Sequence, residues 1–436
     1  MPRLTAYDRR RMFLDLSAKP LEVWTCPVAQ PASSSTSTAA STTCDVDESQ
    51  PCKTSAVKNV ERLFDYELVD CNGYGRQHMI GLAPTVPALS PDLLALEGKQ
   101  LNRLKDEAYP EHASLAMEAP LALLSFLGPF EWRSFDVVCT KTFPATLYRF
   151  CSNEERFYRF DVERIGSTVF VQEADVGDAR AGPNYLLSLV ENVTSRPSRG
   201  YRQAIKYDFG GLRLLVRLHV DLAEVESDEQ ADVRIELSSD RSILGQRNAL
   251  EQVDPILEAL KEFIPTAQSL TEYMARCEAR PFPLPNSSVC LQGGYRRPSS
   301  TCCTPIQVMT RGVAKLAESS LPNKWPNLHF GGTERLLVAI HERGEVKGSP
   351  VIFHADDIAP VDREEALARA ATVLNTIVTF IRAQPAASGN HFALIWINDS
   401  NGNDDEPLGK ENISIYRRFP KQTNTFLSDS LKSVVL

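Results

Sequence analysis

An imidazole and a carboxylate at the end of an apolar run have the clearest capacity for chemistry in this sequence. They are His219 and Asp221, separated by Val220. Residues two apart in an extended backbone point to the same face, so we expect the two side chains to lie together. Carboxylate oxygens bind hard divalent cations, and imidazole nitrogens bind softer ones. The pair is therefore a candidate metal site at the end of a strand.

The run that carries this pair is predicted to be one strand of a hairpin. It begins after a turn signal at Phe209, Gly210 and Gly211. Four apolar residues alternate along one side of it: Leu212, Leu214, Val216 and Leu218. Leu215 adds an apolar side chain on the other side, which favours a strand buried on both faces. The segment 203–208, before the turn, is the predicted partner strand.

The remaining periodic segments predict a mixture of strands and helices. Strands are predicted at 135–139, 156–163, 167–173, 305–310, 334–341, 346–354, 392–397 and 413–416, and helices at 144–151, 183–193 and 362–382. Asp362 and Glu365 have the spacing of a capping box at the start of the last helix. Hairpins interspersed with helices predict an α+β fold, with a mixed central sheet of hairpins flanked by helices.

Composition divides the chain into regions. Residues 1–59 form an N-terminal region, in which the stretch 31–55, rich in Ser and Thr and then acidic, predicts a disordered linker that a protease should cut first. Residues 60–425 are predicted to form a single α+β domain. Within it, residues 223–300 are predicted to be an insertion with an amphipathic helix at 253–263, and residues 426–436 form a tail.

The overall composition narrows the class of protein. The chain has 436 residues and a formal net charge of −9, which argues against a broad basic surface for nucleic acid but allows a small basic groove. The ten cysteines form no CxxC pair, which disfavours a zinc ribbon. The sequence has neither the apolar segment of a signal peptide nor a run of 18 apolar residues. We therefore expect a cytoplasmic or nuclear protein that is not secreted and binds no membrane.

A series of motifs in a fixed order resembles a known group of sequences. The motifs are LFDYELVD, APTVPALSP, RSFDVVCTK, YDFGGLRLLVRLHVD, IQVMTR and PNKWPNLHFGGTERLLVAIHERG, followed by the helix at 362–382. Together they cover most of residues 60–420 and resemble a group of fungal proteins often labelled geranylgeranyl pyrophosphate synthetase. In relatives of that group the strand at 212–221 resembles Glu-x-Asp, and the strand at 305–310 resembles Glu-x-Lys.

The order Glu-x-Asp and then Glu-x-Lys resembles the core of PD-(D/E)XK nucleases, which include RNA 5′-end decapping nucleases. The resemblance implies a nuclease-like core in which carboxylates hold Mg²⁺ or Mn²⁺ and the lysine orients or activates the attacking water. It also implies an RNA 5′ end or a nucleotide as the ligand.

This sequence departs from that pattern at the positions that would bind metal. His219 replaces the first acid, and only Asp221 remains. The Glu-x-Lys pair falls on Gln307 and Met309, and neither side chain is charged. A rival register that places the second motif at Glu236 also lacks the lysine. We therefore expect no cofactor, with Mg²⁺ or Mn²⁺ bound only if the site is active.

Three functions are compatible with these observations. The first is a non-catalytic pseudo-nuclease that binds an RNA 5′ end, a nucleotide or another protein. The second is an active metal-dependent RNA or nucleotide hydrolase of the decapping type, which needs Asp221 and a further acid. The third is a prenyl diphosphate synthase, as the group label suggests. The third is disfavoured, because those enzymes are all-helical and the acidic segment 356–360 lacks the last aspartate of a DDxxD motif. The sequence favours the first.

Overall fold

The computed structural model of the chain describes residues 12–13, 15–25, 56–69, 78–81, 87–89, 93, 96–104, 120–122, 131–152, 157–174, 185–194, 200–225, 282–283, 289–292, 303–315, 321–385, 390–397, 412–419, 427 and 432. Three sequence-based predictions lie outside these residues. They are the linker at 31–55, the helix at 253–263 and the rival site residue Glu236.

Strands account for more of the described residues than helices do. Their bounds are β1 Glu22–Thr25, β2 Lys58–Val69, β3 His78–Gly81, β4 Val137–Thr140, β5 Phe157–Ile165, β6 Thr168–Glu173, β7 Tyr201–Phe209, β8 Leu212–His219, β9 Leu222–Val225, β10 Phe282–Pro283, β11 Val289–Gln292, β12 Cys303–Gly312, β13 Arg335–Glu342, β14 Glu345–Val346, β15 Val351–His354, β16 His391–Ile397 and β17 Asn412–Arg417. The helices are α1 Thr142–Cys151, α2 Leu186–Val193, α3 Trp325–His329 and α4 Arg363–Ala383.

A large mixed sheet of twelve strands is the centre of the fold. Its order is β1-β17-β16-β5-β6-β4-β8-β7-β2-β3-β11-β10. β4 runs parallel to β6 and to β8, and β11 runs parallel to β3, whereas the other neighbouring pairs are antiparallel. This mixed sheet with its flanking helices confirms the predicted α+β fold. Because parallel strands end at the same edge of a sheet, the residues that follow β4 and β8 meet there.

The hairpin predicted around two glycines is confirmed. β7 and β8 pair antiparallel, with Phe209 opposite Leu212. Gly210 and Gly211 form the turn with φ values of +61° and +80°, which glycine adopts without steric cost. Leu214 and Val216 are fully buried on one face of β8. On the other face Leu215 is buried but Arg213 and His219 are exposed, so the predicted burial on both faces is confirmed only at Leu215.

A smaller sheet packs beside the large one. Its order is β14-β13-β12-β9, and β15 also pairs with β13. β12 is parallel to β13 and antiparallel to β9. Ile306 and Val308 of β12 lie in a core with Leu189 of α2, whereas Met309 lies in the main core with Leu214. Successive residues of β12 therefore face two different cores.

The long helix predicted at 362–382 is confirmed as α4. Its apolar residues, among them Leu367, Leu374 and Ile377, are buried in the main core together with α1. By length and composition α4 is apolar enough to cross a membrane, but half of that apolar window is buried inside the protein, as in a core helix. The predicted capping box is wrong, because the Asp362 side chain makes no capping hydrogen bond. Glu365 instead pairs with Arg369, one turn later, at 2.6 Å.

A buried charge network joins the N-terminal segment to the edge of the large sheet. β1 pairs with β17, with Glu22 opposite Ile415. Arg159 pairs with Asp15 at 2.9 Å and with Asp161 at 2.8 Å. Arg418 pairs with the same two carboxylates, at 3.0 Å and 3.1 Å. Two guanidinium groups and two carboxylates thus balance each other at the place where β5, β17 and the N-terminal segment meet.

Candidate functional site

The chain passes from the large sheet to the smaller one at Val220 and Asp221, between β8 and β9. β9 pairs antiparallel with β12, and Leu222 is opposite Ile306. Asp221 precedes Leu222 and Gln307 follows Ile306, so both lie one step beyond that pair. The structure therefore brings Asp221 and Gln307 next to each other at the junction of the two sheets. We call this junction the Asp221 site.

His219, the last residue of β8, lies beside the carboxylate of Asp221. Its Nδ1 is 3.8 Å from Asp221 Oδ1, and the two side chains are 42% and 23% exposed. They therefore share the solvent-accessible side of the strand end, as their spacing in the sequence predicts.

Met309, one of the candidate site residues from the sequence, is buried. It is 7% exposed and belongs to the main core, where its partner in the register with β13 is Val338. A thioether in this position is a packing residue and offers no ligand to a hard cation. The rival register at Glu236 lies outside the described residues.

An arginine that the sequence analysis missed faces His219 across the β7–β8 hairpin. The register pairs Arg202 with His219 on one side and with Tyr66 of β2 on the other. Residues directly opposite each other share a face of the sheet, so the three side chains form a row. Arg202 is only 8% exposed, and its Nη1 donates a hydrogen bond to the Tyr201 carbonyl at 3.2 Å.

A lysine at the end of β4 completes the set of charges. The backbone N–H of Lys141 donates to the Arg217 carbonyl at 3.1 Å, which ties the end of β4 to β8. Its side chain runs past Gly331, since a Cβ at that glycine would lie 3.3 Å from Lys141 Cδ. Burial lowers the pKa of Lys141, while the charge of Asp221 raises it and that of Arg202 lowers it. Lys141 and Arg202 therefore act electrostatically on the Asp221 site.

Two buried polar atoms near these charges have no hydrogen-bond partner within the described part of the chain. They are Oγ1 of Thr140, adjacent to Lys141, and Oε1 of Gln307, adjacent to Asp221. Leaving a buried donor or acceptor unpaired costs about 1–3 kcal/mol. The site therefore contains hydrogen-bonding capacity that the described protein groups do not use.

The family resemblance implies Mg²⁺ or Mn²⁺, but the side chains at the Asp221 site do not fit either ion. Hard cations select carboxylate oxygens. The residues that meet here provide one carboxylate from Asp221, one neutral amide from Gln307 and one imidazole from His219. Lys141 and Arg202 add positive charge, which repels a divalent cation. Among the residues that the structure describes, no three His, Cys, Asp or Glu side chains are grouped to hold a metal ion.

The sequence contains features that could have identified both Arg202 and Lys141. Counting outward from the Gly210–Gly211 turn in a hairpin places Arg202 opposite His219. Lys141 lies two residues after the predicted strand at 135–139, so it is close to a strand end, as His219 is. What the sequence does not contain is the information that β4 and β8 are parallel neighbours, which brings those two strand ends together.

The acidic segment considered for diphosphate chemistry lies elsewhere. Asp356 and Asp357 are exposed in the short 3₁₀ turn Asp356–Ile358, and Pro360 follows. This acidic segment is therefore an exposed turn. The sheet-dominated fold does not support a prenyl diphosphate synthase.

Comparisons with known proteins give a likeness in fold alone. No protein-family model matches the sequence, and no curated protein matches it. S. pombe Rai1 matches with a TM-score of 0.50 and 9% identity, over 92% of this chain and 99% of that chain. K. lactis Dxo1 in complex with manganese matches with a TM-score of 0.48 and 8% identity, over 83% of this chain and 91% of that chain. The chain therefore has a mixed α+β fold similar to that of Rai1, of the Rai1/Dxo1 decapping nucleases.

Proposed function

We propose that this protein uses the Asp221 site to bind an RNA 5′ end or a nucleotide without hydrolysing it. The observation that carries the proposal is the balance of charge at the site. The carboxylate of Asp221 lies beside His219, which is opposite Arg202 in the strand register, and its charge acts on the pKa of Lys141. The similarity in fold to S. pombe Rai1 supports the choice of ligand class.

Hydrolysis is not expected, because the site lacks the carboxylates and the lysine that metal-dependent cleavage requires. A phosphodiester is cleaved in such a core by water activated at a divalent cation that several carboxylates hold. Gln307 offers only a neutral oxygen, and Met309 lies in the main core where the lysine of the pattern would be. Asp221 alone would leave Mg²⁺ mostly hydrated and unbound.

Binding is expected, because the same residues attract a negatively charged ligand. The terminal phosphates of RNA or of a nucleotide carry more negative charge than an internal linkage. Arg217 lies two residues before His219 on the same side of β8 and extends the positive charge along the strand. This local concentration of positive charge is compatible with the overall charge of −9.

The test is an RNA-hydrolysis assay on the purified protein beside its Asp221→Asn variant. The substrates are RNAs with a 5′ cap, a 5′ triphosphate and a 5′ monophosphate, each with Mg²⁺ or Mn²⁺. We expect no turnover by either protein. Metal-dependent turnover that disappears in the variant would favour the active hydrolase instead.

A gain-of-function variant supplies the positive control. The combined changes His219→Glu, Gln307→Glu and Met309→Lys restore the acid and lysine pattern of the nuclease core. We expect this variant to gain Mn²⁺ binding in calorimetry, whereas the unchanged protein shows none. Equal Mn²⁺ binding by both proteins would contradict the proposal that the site has lost its metal.

A further inference from the structure

We propose that Lys432 is attached to Glu163 at neutral pH and is released when His391 takes up a proton. This inference goes beyond the proposed function and concerns a different part of the large sheet. The groups involved lie on β5 and β16, and β5 is the third strand from β8. A proton is the only ligand that this switch requires.

Glu163 is a buried carboxylate that faces both a lysine and a histidine. Its side chain is 3% exposed, and Nζ of Lys432 is 2.6 Å from its Oε1. His391 is directly opposite Glu163 in the register of β16 with β5, and its Nε2 is 3.9 Å from the same oxygen. The next residue, Arg164, points to the other face of the sheet, where it binds the carbonyl of Ile381. Lys432 and His391 are therefore alternative partners for one carboxylate oxygen.

The charges on this face of β5 are balanced when His391 is neutral. Asp161 precedes Glu163 by two residues, so both side chains lie on the same face of the sheet. Arg418 connects the two places, because its side chain pairs with Asp161 at 3.1 Å and its backbone N–H donates to the His391 carbonyl at 3.0 Å. We call the ion-paired groups here the β5 cluster; they are Asp15, Arg159, Asp161, Glu163, Arg418 and Lys432. This set has three carboxylates and three cations, so a proton on His391 adds an unbalanced positive charge where water is largely excluded.

Lys432 is the cation that the β5 cluster loses most easily. Its side chain is 17% exposed, whereas those of Arg159 and Arg418 are 6% and 5% exposed. Each of these arginines also pairs with two carboxylates of the cluster. A protonated imidazole is already beside Glu163 and can take the place of the lysine. Leu427 is fully buried, so the chain remains attached there after Lys432 leaves.

The proton affinity of His391 supports the same coupling. Burial lowers the pKa of His391, the charge of Glu163 raises it, the charges of Lys432 and Arg418 lower it, and the charge of Asp161 raises it. Because Lys432 lowers the pKa of His391, a proton on His391 weakens the attachment of Lys432 by the same factor. The attachment is therefore complete at neutral pH and weakens as the pH falls below 6.5, the ordinary pKa of the imidazole.

The experiment compares the chemical reactivity of lysines at about pH 7.5 and about pH 5. Trace labelling with isotopically coded acetic anhydride, read by mass spectrometry, gives the reactivity of Lys432 relative to that of exposed Lys99. This ratio corrects for the pH dependence that all amines share, and we expect it to rise by about three- to tenfold in acid. In His391→Asn, which has no ring to protonate, the ratio should not change with pH. In Glu163→Gln, which lacks the carboxylate, it should be high at both pH values.

A second lysine in the same sheet separates a local effect from a general one. Lys206 pairs with Glu61 at 2.9 Å and is the matched control. An equal rise at Lys206 would assign the effect to loosening of the whole fold and overturn the proposal. A wild-type ratio that stays constant, or one that rises equally in His391→Asn, would overturn it as well.

The reciprocal measurement leaves the residues of the sheet unchanged. Lys432→Met removes the charge of the lysine, so the His391 ring should titrate at a pH about 0.5–1 higher than in the wild type. Lys432→Arg keeps the charge and should leave the midpoint where it is. NMR spectroscopy of the imidazole signals follows each titration, and thermal unfolding verifies the fold of each variant. Equal midpoints in the wild type and in Lys432→Met would show that the two groups are not coupled.

Discussion

Single residues decide which sign of charge the Asp221 site favours. The family resemblance predicts acids at two positions of β8 and β12, where His219 and Gln307 bring no negative charge. Lys141 and Arg202 then outnumber the one carboxylate. Because charges in partly buried sites interact several times more strongly than charges in water, this change of composition outweighs small changes in geometry. We therefore expect the same backbone to favour phosphate over metal.

The partly buried imidazole of His329 makes the stability of the protein depend on pH. Its ring stacks on Trp325 with 4.4 Å between centroids. Burial lowers the pKa of His329 from 6.5 to about 4, with the charge of Arg363 acting in the same direction and that of Asp356 opposing it. Between pH 6.5 and about pH 4, His329 is therefore protonated in the unfolded chain and neutral in the folded protein. Stability contributed by neutral His329 is lost as the pH falls through this window.

Replacing the imidazole by an uncharged ring tests this dependence. His329→Phe keeps an aromatic ring beside Trp325 but cannot bind a proton. Between about pH 7 and pH 5 we expect the wild type to lose about 2 kcal/mol more of its free energy of unfolding than the variant loses. The measurement is denaturant unfolding of both proteins at the two pH values. Equal losses of unfolding free energy in the two proteins would mean that folding does not lower the pKa of His329.

At the scale of elements, the β7–β8 hairpin is fixed to α4 by its tip. A Cβ at Gly210 would lie 2.9 Å from the Cβ of Ala371, so the turn approaches the helix as closely as a residue without a side chain allows. Asn375 Nδ2 donates to the Gly210 carbonyl at 2.6 Å. The tip therefore sets the position of the whole hairpin, including Arg202 and His219 at its other end.

The burial of β8 leads to a prediction about stability. Leu214 is fully buried in the main core, while its neighbour Arg213 is exposed. Leu214→Ala removes apolar contacts and leaves a cavity, so we expect a loss of about 2–5 kcal/mol in the free energy of unfolding. Arg213→Ala on the same strand is the control and should change it by no more than about 0.5 kcal/mol. A loss for Leu214→Ala as small as that of the control would contradict the central position of the strand.

The far end of α4 is held by a buried arginine. Nη1 of Arg164 donates to the carbonyls of Ile381, Arg382 and Gln384 at 3.0, 2.9 and 2.6 Å, and Nη2 donates to Asn390 Oδ1 at 3.0 Å. The guanidinium group thus satisfies the carbonyls that end the helix and places a positive charge at its negative pole.

Removing the guanidinium group of Arg164 should weaken the attachment of α4 to β5. We expect Arg164→Ala to cost about 2–4 kcal/mol in the free energy of unfolding, since it leaves buried carbonyls without donors. Arg164→Lys keeps the charge but not the fork of donors, so its cost should lie between those of the wild type and the alanine variant. Hydrogen exchange at the last turn of α4 is the local measurement. Unchanged exchange there in Arg164→Ala would show that the cap is dispensable.

On the scale of the whole molecule, the buried network of Arg159, Asp161, Arg418 and Asp15 connects the N-terminal segment to the large sheet. The main chain adds to this connection, because Ser17 N–H donates to the Arg417 carbonyl at 2.9 Å and Phe419 N–H donates to the Asp15 carbonyl at 2.8 Å. Asp15 has φ +62°, a conformation that asparagine and aspartate adopt more readily than most residues.

Asp15→Asn isolates the charge in this network, because asparagine retains the shape and the backbone preference. The change leaves the two guanidinium groups with a single carboxylate. We expect it to cost about 2–4 kcal/mol in the free energy of unfolding. Glu22→Gln, at an exposed position of the same segment, is the control and should have almost no effect. Equal small effects of both changes would show that the segment contributes nothing to stability through its charges.

The sequence predicts local structure well and long-range arrangement poorly. The hairpin around Gly210, the helix at 362–382 and the strand with Gln307 follow from periodicity and turn residues, which are local properties. The parallel pairing of β4 with β8 and the pairing of β1 with β17 depend on contacts between distant segments. Lys141 was therefore missed, although its own strand was predicted. The capping box failed because Arg369, one turn away, holds Glu365.

The pairing of distant segments has a consequence for how the protein is synthesised. Asp15 and Arg418 are 403 residues apart. At the usual rate of translation, Arg418 is therefore added to the chain roughly 20–80 s after Asp15. Until β16 is synthesised, the edge of β5 that pairs with β16 is open. Arg159, Asp161, Glu163 and Arg164 place charged side chains along that strand. Charges on an unfinished edge discourage pairing with another chain, so the residues that later form the buried network also protect the nascent protein from aggregation.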